Sequence, residues 1–201
     1  FDGGESEIIV EGERLPEFES LHPLATRPAV SPDGKSLAFA AKSKGRDHLY
    51  IWDLEKKKQI KDVFFDDIVA ISSPSFAPDG RRLVFSGSDK AGLTDLYLFD
   101  LQSEELQAVS HDLYHDREPD WSPDGLRIVF SSDRWTGGRR GLYNLFLYDL
   151  QTEEIHALSR GHHNDGQPRW SPDGDAIVFS SDRDTMYNIY AVRLEEGVDG
   201  L

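Results

Sequence analysis

Cysteine is absent from this chain of 201 residues. That removes disulfides and thiolate metal sites and leaves the redox compartment open. No apolar run approaches the roughly 18 residues that a membrane-spanning helix needs, so no membrane insertion by this chain is expected. Basic residues are outnumbered, with 22 Lys and Arg against 37 Asp and Glu and a formal net charge of −15. A field of that sign repels phosphate backbones, which disfavours nucleic acid and anionic lipid as partners. Phosphate-binding glycine loops are missing as well. The nearest approach, "DRWTGGRRG" from Asp133 to Gly141, leads from one strand into another and not into a helix. No G-x-S-x-G surrounds a candidate nucleophile, and no cofactor is expected. Helical periodicity is lacking throughout. The sequence starts at Phe1 without a Met or a signal-peptide pattern, so it reads as an excised or processed piece.

What is present is repetition. "RPAVSPDGKSLAFAAKS", "SPSFAPDGRRLVFSGSD", "EPDWSPDGLRIVFSSDR" and "QPRWSPDGDAIVFSSDR" align on Gly34, Gly80, Gly125 and Gly174, at intervals of 46, 45 and 49 residues. Periods of about 40 to 50 residues with several strands per unit point to β-propeller blades. Each unit reads as a short strand, an "SPDG" turn, a second strand such as "RIVFSS", a third such as "NLFLYDL", and a weaker fourth such as "IHALS". In the turn, Pro presets φ, Asp tolerates the next corner and Gly supplies positive φ at the exit. The second and third strands are apolar on both faces, as strands covered from both sides must be. Proline has no ladder donor and is confined to edges or strand ends. Pro28, Pro74, Pro119 and Pro168 therefore belong on the innermost strands, whose free edge faces the channel.

The pattern "P-x-W-S-P-D-G … I-V-F-S-S-D-R … N-L-F-L-Y-D-L" resembles the TolB-type propeller repeat of bacteria, which also occurs in tricorn-type proteases and prolyl-oligopeptidase relatives. The resemblance spans residues 27 to 194; the first copy is worn, with Val30 in place of the Trp. The expected fold is an all-β propeller of four-stranded antiparallel blades. About four lie in this chain, as part of a ring of six or more. Blades are expected at 27–66, 73–110, 117–160 and 167–201, the last lacking its outer strand, with one further outer strand at 6–13. Phe39, Phe85, Phe130 and Phe179 should occupy equivalent buried positions between blades.

The repeated "SSDR" (Ser131 to Arg134, Ser180 to Arg183) holds residue types used in catalysis, but its recurrence at one blade position favours a structural role, with Asp133 and Arg134 bonding local backbone and a neighbouring blade. The loops before the third and fourth blades differ. "SHDLYHDREPDW" and "SRGHHNDGQPRW" hold four of the seven histidines. His111, His115, Asp116, Glu118, His163, Asn164, Asp165 and Gln167 are the candidate binding residues, expected on one rim of the channel. Imidazoles and carboxylates there suit a divalent metal, as in similar lyase propellers, but a protein or peptide partner is the stronger expectation, and no metal ligand is assigned. The resemblance implies a bacterial envelope setting, periplasmic or secreted, and an accessory domain of a larger protein that is not itself an enzyme. The alternative is the propeller domain of an enzyme, either a metal-dependent polysaccharide lyase or a serine peptidase.

Overall fold

The computed structural model describes residues 6–10, 19–21, 27–138 and 141–194. Four antiparallel sheets stack face to face, and among the described residues the only helical element is a 3-10 turn at Arg134–Thr136. The first sheet comprises β1 (Ser20–Leu21), β2 (Ala29–Val30), β3 (Ser36–Ser43), β4 (Arg46–Asp53) and β5 (Lys58–Val63). The second runs β6 (Ala70–Phe76), β7 (Arg82–Ser88), β8 (Thr94–Asp100) and β9 (Leu106–Ala108). The third runs β10 (Asp116–Trp121), β11 (Arg127–Ser132), β12 (Asn144–Asp149) and β13 (Ile155–Ala157). The fourth has β14 (Asp165–Trp170), β15 (Ala176–Ser181) and β16 (Asn188–Arg193). In the last three sheets the strands pair in chain order, and in the first both β1 and β2 pair with β3, so each sheet is a propeller blade.

The innermost strands carry the local irregularity that shapes the channel. β6, β10 and β14 each hold a bulge, at Ser72/Ser75, Arg117/Asp120 and Gly166/Arg169. Pro74, Pro119 and Pro168 sit within these bulges on edge strands, where a missing donor is harmless. The residue before each proline is left-handed: Ser73 at φ 50°, Glu118 at 57° and Gln167 at 53°. In the first blade the same strand is split. Leu21 pairs with Ala41 and Val30 with Leu37, on opposite ends of β3, and Pro28 directly precedes β2. Of the strand expected at 6–13, residues 6–10 take no strand, and 11–13 lie outside the described residues. Ile9 and Val10 instead lie half-buried against Phe39, Tyr50 and Trp52.

Apolar clusters fill the space between blades. The trailing face of one blade gives aliphatic side chains, such as Val84, Leu96 and Leu98, and the leading face of the next gives aromatic ones, such as Phe130, Phe146 and Tyr148. The four equivalent phenylalanines are 0–5% exposed. Each faces an aromatic residue across the ladder: Phe39–Tyr50, Phe85–Tyr97, Phe130–Phe146 and Phe179–Tyr190, with centroids 5.5–6.0 Å apart. Such pairs add to area burial. On the fourth blade the trailing positions Val178 and Ile189 are open to solvent, whereas their third-blade equivalents Val129 and Leu145 are fully buried.

The "SPDG" turns fix the ends of these strands. Asp124 accepts from the Ser122 hydroxyl and from Leu126 N–H, and Ser122 Oγ in turn accepts from Arg127 N–H. Burial works against the Asp124 charge, but the two donors prevail and its carboxyl lies below the usual range. Gly125, at φ 72°, leaves the place where a Cβ would stand 3.5 Å from Pro78 of the preceding turn, so successive turns stack around the ring.

Candidate functional site

The "SSDR" motif resolves into a buried clamp. Arg134 Nη2 donates to Asp116 at 2.6 Å and approaches Asp112 at 3.4 Å. Its guanidinium covers the Phe130–Phe146 pair. Arg183 repeats this with Asp165 at 2.9 Å and covers Phe179 and Tyr190. The motif's aspartates hold the loop that enters the same blade: Asp133 accepts from His115 N–H at 2.8 Å, and Asp182 from Asn164 N–H at 2.6 Å. The expected bond to a neighbouring blade is replaced by these bonds to the blade's own entry loop.

Asp116 and Asp165, expected among the rim residues, are fully buried. Neither can meet a partner directly; each is consumed by the arginine 18 residues downstream. Burial pushes the Asp116 carboxyl up despite Arg134. At Asp165 burial is outweighed by Ser159, Ser181 and Arg183, and its carboxyl lies low. His163 also turns inward, with Nε2 3.2 Å from Asp165. It can do so because residue 161 is glycine: a Cβ there would stand 2.2 Å from the His163 ring. Gly161→Ala is expected to displace His163 and lower stability by about 1–3 kcal/mol, checked by urea denaturation. An unchanged midpoint would mean that the ring moves freely. His111 stands apart, exposed, 3.9 Å from Asp95. Asp95, Asp112 and Asp116 bring carboxylate oxygens within 4.8 Å of one another, with the Arg134 guanidinium beside two of them.

Three of the four remaining candidates meet, and His115, whose backbone N–H is held by Asp133, is not among them. Glu118, Asn164 and Gln167 line one cleft of about 360 Å³ between the inner ends of the third and fourth blades, together with Arg117 and Gly166. Ser180 and Tyr187 close its far wall. Glu118 accepts from Gln167 N–H at 2.7 Å, joining the two blades. Asn164 is fixed by Asp182 and by Tyr143 N–H, which donates to its Oδ1 at 3.1 Å. Arg117 lies flat on the Tyr143 ring, 3.5 Å from its centre. Below the cleft, Asp120 links three blades through the Ser75 hydroxyl, Arg169 and Trp170 N–H. Burial pushes the Asp120 carboxyl up to about 6. Arg117, Ser180 and Tyr187 were not among the sequence candidates. Strand alternation places Arg117 on the face opposite Glu118, and only the bulge with its left-handed Glu118 brings both to one side.

A model of the TolB beta propeller domain matches residues 10–143. The chain belongs to the TolB β-propeller family. Residues 122–198 also match the N-terminal region of dipeptidyl peptidase IV. A TolB structure from Agrobacterium tumefaciens is similar to it with a TM-score of 0.70 and 26% identity, over 85% of this chain and 58% of that one. TolB from Acinetobacter baumannii gives a TM-score of 0.66 at 24% identity, over 85% and 41%. A tricorn-like protease C-terminal subunit from Sulfurisphaera tokodaii is 31% identical over 102 residues, 51% of this chain and 11% of that protein. The chain thus spans about a tenth of its curated relative and little more than half of the first of these TolB structures. Among the described residues no helix is long and apolar enough to cross a membrane.

Proposed function

We propose that this chain is a non-catalytic TolB-like propeller module that binds a protein or peptide at the channel rim, as an accessory domain of a larger bacterial envelope protein in a periplasmic or secreted setting. One observation carries this reading. The repeated arginines that suggest catalysis are paired with the buried Asp116 and Asp165, and the aspartates beside them hold backbone N–H groups, whereas polar side chains that differ between blades open into a shared cleft. Rigid scaffolds with variable loops at one end are suited to recognition. The reading of a peptidase's propeller domain draws support from the tricorn-like relative and the dipeptidyl peptidase match. There too this chain would contact peptide, and hydrolysis would fall to another domain. The lyase reading needs a converging histidine shell, but His111 and His163 reach different carboxylates, Asp95 and Asp165.

Selection of displayed random peptides against the purified chain tests the module. Enriched sequences are expected to bind the parent and to lose at least tenfold, about 1.4 kcal/mol, on Glu118→Ala/Gln167→Ala. Failure to enrich any sequence, or turnover of peptide or oligogalacturonate by the chain alone, would overturn it.

A further inference from the structure

Resting on the module reading, we propose that the cleft between the third and fourth blades recognises an uncharged, extended peptide through a main-chain amide, with Arg117 as donor and Glu118 as acceptor. The Arg117 guanidinium has no acidic partner among the described residues, and its Nε is buried without an acceptor. Tyr143 supplies a flat shelf that holds the fork in place. Glu118 uses Oε2 for Gln167 N–H, while no donor among the described residues meets its Oε1. Both groups line the same cleft because the bulge and the φ of 57° at Glu118 break strand alternation. Gly166 completes the arrangement: a Cβ there would come within 3.2 Å of Glu118 Oε2 and crowd the carboxylate.

A donor fork and an acceptor oxygen side by side select by charge. An acidic ligand satisfies Arg117 but meets Glu118, and a basic one satisfies Glu118 but meets Arg117; like charges brought together cost affinity. A peptide group presents C=O to the guanidinium and N–H to the carboxylate, and leaves no charge uncompensated. Ser180 adds an acceptor at the far wall, since its hydroxyl hydrogen is given to Gly166 C=O at 3.0 Å. Tyr187, 67% exposed, offers an apolar face beside it for a small or extended side chain. Loss of the N–H from the ligand would leave Glu118 Oε1 facing an atom that cannot donate, and a mismatched hydrogen-bonding group is where polar recognition gains most of its selectivity.

The test uses the 15N-labelled chain and the probe Ac-Gly-Gln-Ala-Gln-Gly-NH2. Companion probes carry Glu or Lys at both Gln positions, or an ester in place of the central amide N–H. The neutral probe is expected to shift the amide signals of Gly166, Gln167 and Ser180 saturably, with the charged and ester probes at least fivefold weaker. Arg117→Lys keeps the charge but not the fork, and Glu118→Gln keeps one oxygen for Gln167. Each should weaken the neutral probe at least fivefold while leaving the rest of the spectrum in place. Tighter binding of the Glu probe would make the cleft an anion site and overturn the inference. Peptide binding that is indifferent to Arg117→Lys would also overturn it, while leaving the module reading intact. No saturable shift with any probe would overturn it too, and the peptide selection then judges the module separately.

Discussion

Arg134→Met is expected to destabilise the protein by about 3–5 kcal/mol, the range for breaking a buried ion pair on one side. Asp116 is fully buried and Arg134 is its ion-pair partner. Without the guanidinium the carboxylate must either stay charged in an apolar setting or take up a proton, and burial already pushes its pKa upward. The aromatic pair Phe130–Phe146 loses its cover as well. The chain contains its own control. At the position of Asp116 the first two blades carry Leu21 and Ile71, and neither has an arginine where the third has Arg134. In the second blade Phe65 stacks on Phe85 in the arginine's stead and meets Phe99 edge-on. Asp116→Leu combined with Arg134→Met should therefore recover most of the loss, because an apolar replacement of the whole pair is often neutral. Urea denaturation of both variants decides it. A double variant no better than the single one would show that the clamp stabilises by something other than mutual neutralisation.

That clamp also marks where the sequence stops being transparent. The period, the SPDG turns, the prolines and the four phenylalanines are local patterns, and the residues that carry them lie where strand periodicity puts them. Asp116 and Asp165 looked like exposed rim carboxylates because a charged residue in a polar loop is normally solvated. Their burial depends on a partner 18 residues away, visible in the sequence only as the joint loss of Asp and Arg in the first two blades. His163 turned inward for an equally local reason, the missing Cβ at Gly161. Arg117 would face away from Glu118 in an unbroken strand, and only the bulge brings the two to one side. The segment at 6–13 reads as a strand, yet Ile9 and Val10 cover the first blade's aromatic face, and residues 6–10 join no ladder.

Phe130→Ala is expected to cost about 3–5 kcal/mol. Phe130 is fully buried in the cluster between the second and third blades, among Val84, Leu96 and Leu98 on one side and Ile128 and Phe146 on its own. Both walls belong to separate sheets held apart by their own ladders, so neither can collapse into the space left by the ring. The loss then includes the transfer energy of the side chain, a cavity term and the cross-strand aromatic contact. For a chain of this size each kcal/mol moves the midpoint of thermal unfolding by about 2–4 °C. Ile189→Ala supplies the contrast. Ile189 occupies the same trailing-face position as the buried Leu145 but is 74% exposed, so its truncation should stay within about 0.5 kcal/mol. If Phe130→Ala costs less than 1 kcal/mol, or if Ile189→Ala costs as much as Phe130→Ala, blade-to-blade packing is not what stabilises this chain.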